Sequence, residues 1–164
     1  MFNAIEYFET LCAKNKLCIS EGFHAVLISS PEEIDGLHEQ YRDYDRFVAV
    51  SDTSNENVES DDGEYAFTKG RAFNVSIVSG YEYGNMEERQ KQMELCREVF
   101  HQFMTRIIRD KFLYADEGRM QLVTSSIPVH EYNRLFLNET TGLYFTLYSK
   151  EPIDLQYNEQ QWTD

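Results

Sequence analysis

The chain is poor in cations. Fifteen Lys and Arg face 29 Asp and Glu over 164 residues, a formal charge of −14. A surface that binds nucleic acid must neutralise phosphates, and its affinity grows with the number of Lys and Arg contacts. An average field of this sign opposes that at long range, so no direct nucleic-acid binding is expected, and an anionic membrane surface is disfavoured for the same reason. Long apolar runs are also missing, with nothing near the ~20 residues that span a bilayer. The opening residues MFNAIEYFETLCAKNK have neither a basic start nor a continuous apolar centre, and do not read as a signal peptide. Cysteine is scarce: Cys12, Cys18 and Cys96 cannot all pair, and without an export signal they read as reduced thiols. The sequons at Asn74 and Asn138 are then chance matches. These absences lead to the expectation of a cytoplasmic protein.

What is present belongs to a globular domain. Apolar residues make up 41% and aromatics 14%, too many for disorder. A single domain, 1–164, is the economical reading, and at this length about two thirds of the unfolded chain's surface can be buried. Eleven Phe and eleven Tyr make the domain aromatic-rich, and Tyr suits half-wet surfaces.

Along the chain, Ile5, Phe8, Leu11 and Cys12 form one stripe with Glu6 and Glu9 outside it, predicting an amphipathic helix over 2–16. FHAVLI (23–28) reads as a strand. SPEEIDGL, from Ser30, has a cap, Pro31 at the first helical position and early glutamates, which are helix-start features. RFVAV (46–50) is a brief strand. Residues 52–64, DTSNENVESDDGE, hold six carboxylates and no cation, predicting an acidic surface loop. Phe73, Val75 and Ile77 alternate with Asn74 and Ser76 in a half-buried strand, which Gly70 is expected to bend or bulge.

Residues 85–113 predict a long amphipathic helix. Asn85 is placed to cap it, with Glu88 in capping-box position. Met93, Cys96, Phe100, Phe103 and Ile107 step by three and four, and Val99, Met104 and Ile108 widen the stripe. Arg106, Arg109 and Lys111 suit the negative end of the helix dipole. Strands follow at 120–126, 129–137 and 143–149. The last two are expected to pair as a hairpin, with Gly142 at positive φ in its loop. The fold expected is α+β: a mainly antiparallel sheet with the long helix across one face and an N-terminal helix.

Catalytic and metal chemistry finds little support. His38-Glu39 and His130-Glu131 each begin an H-E-x-x-H pattern, but Arg42 and Arg134 stand where the second histidine must be, and a cation cannot ligate zinc. Cys12, Cys18 and His24 are spaced too widely for a zinc clip, and Cys12 and Cys96 fall on apolar stripes as buried hydrophobes. A calcium loop through Asn57, Glu59 and Asp61 puts Asp62 at the glycine position and Thr68 at the bidentate glutamate. No phosphate-binding glycine loop or nucleophile elbow occurs, and His24, His38, His101 and His130 have no triad context. No cofactor and no catalytic or metal residues are assigned, and a non-enzymatic protein is expected.

The ending is the most informative stretch. GLYFTLYSKEPIDLQYN (142–158) places Leu143, Phe145 and Leu147 on one strand face and Tyr144 and Tyr148 on the other, suggesting a second contact. Beyond it an extended tail, 150–164, carries Pro152, Tyr157 and the single tryptophan, Trp162. This close resembles that of small structural proteins of tailed bacteriophages and prophages: tail-terminator, tail-completion and head–tail connector subunits. The resemblance covers about 85–160 by element order and 142–157 by residue pattern. It implies a non-catalytic assembly subunit, a homo-oligomer that includes a ring among its allowed forms, with protein partners and a place in a virion. The candidate interface residues are Tyr144, Tyr148, Pro152, Tyr157 and Trp162, since an extended aromatic tail can add to a neighbour's sheet edge or fill its pocket. The alternatives are a bacterial adaptor whose acidic face meets a basic partner, and an enzyme built from distant residues.

Overall fold

A computed structural model describes residues 2–29, 46–60, 67–82, 84–116, 121–132 and 139–163. In chain order these form α1 (Ala4–Lys14), α2 (Lys16–Glu21), β1 (His24–Ile28), β2 (Arg46–Ser60), β3 (Phe67–Gly80), α3 (Met86–Asp116), β4 (Gln121–Val123), β5 (Val129–Glu131) and β6 (Thr140–Ile153), with a 3-10 turn at Glu159–Gln161. This is the α+β architecture expected. The helix expected from Ser30 and the near-miss at His38 lie outside the described residues.

The sheet runs β1-β2-β3-β6-β4, with β5 also paired to β6. Every pairing is antiparallel except β1 with β2. One sheet face carries Val48, Val50, Phe73, Val75, Ile77, Leu143, Phe145 and Leu147, buried together with Phe8 and Leu11 of α1 and Cys96, Val99, Phe103 and Ile107 of α3. The alternation along β3 and β6 produces this directly, because successive side chains point to opposite faces. A second, smaller cluster contains Ile28, Phe47, Ala49, Val78 and Tyr132. Both faces of the sheet's first half therefore carry buried apolar residues.

The N-terminal helix is two helices. Asn15 ends α1 in extended conformation, and its side chain accepts from the Cys18 amide to start α2. Asn favours this competition with the helical backbone. Within α1, Tyr7 joins the buried stripe, whereas Ile5 is only half-buried.

Residues 52–60 correct the expectation of an acidic loop: they are the second half of β2, and 61–64 lie outside the described residues. Two of their carboxylates, Glu56 and Glu59, are answered across the sheet. Glu56 reaches Lys69 at 2.8 Å and Arg71 at 2.9 Å, and Glu59 reaches Lys150 at 2.7 Å. Opposite charges facing each other across strands support the pairing. The cations lie outside the acidic run in sequence, so composition alone missed them. The register irregularity falls in β2, between Val50 and Ser54, not at Gly70, which pairs in line with Asn57 and Lys150.

In α3 the Asn85 side chain accepts from the Glu88 amide, as expected. Glu88 completes no box: its carboxylate accepts from the Glu82 amide instead, at 3.0 Å. Met93, Cys96, Val99, Phe103 and Ile107 are buried, but Ile108 is 46% exposed, which corrects its place in the stripe. The helix continues to Asp116, so Arg106, Arg109 and Lys111 do not occupy its last turn.

Candidate interface

The five residues expected at an interface all come from β6 and the segment after it, and the structure divides them into two groups. Tyr144 and Tyr148 share the sheet face opposite α1 and α3. Tyr144 is half-buried: His130 of β5 stacks on it at 5.0 Å between centroids, and Tyr132 lies tilted against it at 5.2 Å. The Tyr132 hydroxyl is 2.6 Å from the Ser76 hydroxyl. Tyr144 is thus partly enclosed by rings of its own chain. Tyr148 is 40% exposed, with Ala72 and Val123 as its register partners.

Pro152 and the start of the tail differ from expectation. Residues 150–153 are still strand: Lys150, Glu151, Pro152 and Ile153 pair with Gly70, Lys69, Thr68 and Phe67. Among the described residues, pairing of β4 with β6 extends to Lys150, so the described strand partner of Pro152 is Thr68 of β3 alone, and proline suits a strand position where one side carries no ladder hydrogen bond. The tail proper begins at Asp154. Its Tyr157 and Trp162 stack on each other at 6.2 Å and 21°, and a 3-10 turn capped by Asn158 lies between them. Among the described residues, the tail's hydrogen bonds are internal, such as Gln156 to Asp154 and Gln160 to Asn158. Leu155, Tyr157 and Trp162 are 54%, 64% and 63% exposed.

A second exposed apolar group was not picked out from sequence. On the outer face of α3, Ile108, Phe112 and Leu113 are 46%, 64% and 50% exposed, with exposed Arg109 among them. Its trace in the sequence is a pair of apolar residues four apart, off the 93–96–103–107 stripe.

Elsewhere the polar groups serve packing. Asp110 of α3 is buried, accepting from the Tyr7 hydroxyl at 3.0 Å and from the Arg106 guanidinium at 2.8 Å. Burial, followed by the Asp110 charge, pushes the Tyr7 hydroxyl far above its usual range. These residues line a cleft of about 510 Å³ together with Phe2, Tyr114 and Glu151. The three cysteines are buried and unpaired. Desolvation pushes Cys96 up to about 12, and a hydrogen bond with Cys18, aided by burial, keeps Cys12 protonated. Cys12 and Cys96, held protonated in this way, are packing groups.

The near-miss motifs resolve in the same way. Glu131 is held by Arg97 of α3 at 2.7 and 2.9 Å, while His130 stacks on Tyr144. Glu59 and Thr68 face each other across two strands rather than around a calcium loop. Among the described residues no group of three or more His, Cys, Asp or Glu could hold a metal ion, and no helix is long and apolar enough to cross a membrane.

No family model matches the chain, and no curated protein matches it.

Proposed function

We propose that this protein is a non-enzymatic structural subunit that acts by self-association, of the kind that joins or caps the tail or the head–tail junction of a tailed bacteriophage or prophage. The observation that supports this reading is the passage of β6, a strand paired on both sides, into an exposed tail carrying Leu155, Tyr157 and Trp162. A sheet that projects an aromatic peptide from a fixed point suits contacts in which a segment of one subunit fits a different surface on another. Tyr and Trp are the side chains that anchor such contacts. The partners are then proteins, copies of this chain first among them. The charge of −14 would keep the assembly from holding DNA nonspecifically.

The test is mass in solution by light scattering over a concentration series, on the full chain and on a chain ending at Asp154. A full chain that forms oligomers and a shortened chain that does not would be the expected result. Monomers from both chains at every concentration would overturn self-association.

A further inference from the structure

We infer that the tail of one copy docks on the outer face of the C-terminal half of α3 in a second copy. The inference rests on the self-association reading above and names the surface that receives the tail. Among the described residues, two groups of exposed apolar side chains do not cover each other: Leu155, Tyr157 and Trp162 on the tail, and Ile108, Phe112 and Leu113 on α3. Surface clusters of this kind, rimmed by polar residues, mark contact sites.

Charge matches the two. Residues 154–164, DLQYNEQQWTD, carry Asp154, Glu159 and Asp164 and no cation. Residues 105–114, TRIIRDKFLY, carry Arg106, Arg109 and Lys111 against Asp110 alone. Arg106 is engaged by Asp110 and Lys111 by Thr124, which leaves Arg109 on the exposed face beside Ile108 and Phe112. With Asp116 ending the helix, residues 105–116 carry three cations against two carboxylates, a net positive, apolar segment in a chain of strongly negative charge, and an acidic aromatic peptide complements it.

Position and size favour a second copy. Glu151 of β6 and Tyr114 of α3 line one cleft, so the root of the tail and the end of α3 lie at the same end of the molecule. Two copies meeting there can exchange tails reciprocally about a two-fold axis. The exchange brings together six rings, Phe112, Tyr157 and Trp162 from each copy. At ~150–250 Å² per aromatic side chain, about two thirds of it exposed, the rings alone supply on the order of 600–1,000 Å². With Ile108, Leu113, Leu155 and the flanking polar groups, this approaches the ~1,200 Å² at which specific interfaces begin. Within its own chain the tail is instead closed on itself by the Tyr157–Trp162 stack.

Two variants test this. Phe112→Glu disables the receptor and Trp162→Ala disables the tail; both positions are exposed, so the fold tolerates them, as circular dichroism would verify. Each variant alone should self-associate at least tenfold more weakly than the unaltered chain. An equimolar mixture, with one intact tail facing one intact receptor, should recover a heterodimer by light scattering and by pull-down of a tagged copy. A mixture that stays monomeric while the unaltered chain associates would overturn the inference, because the tail would then act on its own α3 or elsewhere. Both variants oligomerising like the unaltered chain would also overturn it, yet leave self-association standing through another surface. An unaltered chain that is monomeric at all concentrations would remove the self-association reading and the inference together.

Discussion

The Tyr7 hydroxyl donates to Asp110 at 3.0 Å, joining α1 to α3 across 103 residues of sequence. Arg106, one turn before Asp110 on the same helix, binds the same carboxylate through its Nε at 2.8 and 2.9 Å. A buried carboxylate is tolerated only when its lone pairs are matched, and here two helices supply the matching donors. Tyr7→Phe removes one of them and leaves the ring in place. The expected loss of stability is ~1–3 kcal/mol, measured by urea unfolding. A double-mutant cycle with Asp110→Ala should show coupling above ~0.5 kcal/mol; additive losses would mean that the hydrogen bond contributes nothing of its own.

Gly142 should resist substitution. It has φ 153°, and a Cβ there would lie 2.1 Å from the Ile77 carbonyl oxygen and 2.9 Å from the Val78 Cα, both backbone atoms of the paired strand β3. Gly142→Ala is expected to cost on the order of 1–3 kcal/mol or more through backbone strain. Gly70→Ala is the control: its Cβ would meet the Asn57 side chain, which can swing aside. Thermal melts showing equal losses at the two sites would contradict this account.

Acid should weaken the tie between α3 and β5. The hydrogen bond from Arg97 holds the Glu131 carboxyl below its ordinary value of 4.5. A lowered folded-state value contributes stability fully above the unfolded value, and loses it as pH falls through the lower one. The pair is exposed, so the contribution is under about 1 kcal/mol and falls with salt. Glu131→Gln should therefore narrow the melting-temperature gap between pH 6 and pH 3 slightly, more at low salt. An unchanged gap would place the acid sensitivity elsewhere.

The thiols should be silent in the native state. Cys12 is 5% exposed, and Cys18 and Cys96 are 0%. Ellman's reagent is expected to label none of them in native protein and all three in denaturant. Rapid labelling of any thiol under native conditions would show that the helical layer opens locally.

How much of this was legible in the sequence depended on whether the deciding partners were close in sequence. Periodicity is local, so the buried faces of α3, β3 and β6 could be read from residues such as Cys96, Phe103, Val75 and Phe145. Capping is local too, and Asn85 was readable. The acidic stretch 52–60 was misread because its partners Lys69, Arg71 and Lys150 come from other strands. Ile108 was misplaced because a stripe of apolar residues does not say how wide a face the sheet will cover. Among the candidate interface residues, Tyr157 and Trp162 are exposed, while Tyr144 is partly covered by His130 and Tyr132, which only the pairing of β5 with β6 reveals.

By itself, then, the sequence determined the class of fold, most residues of the main core and the aromatic ending, because each follows from side-chain patterns within a few turns or one strand. Tertiary structure alone decided the order of the sheet, the buried Tyr7–Asp110 contact, the close approach that requires Gly142, and the exposed face of Ile108 and Phe112. Those features arise where distant segments meet, and hydrogen-bond satisfaction, steric contact and burial are set only there.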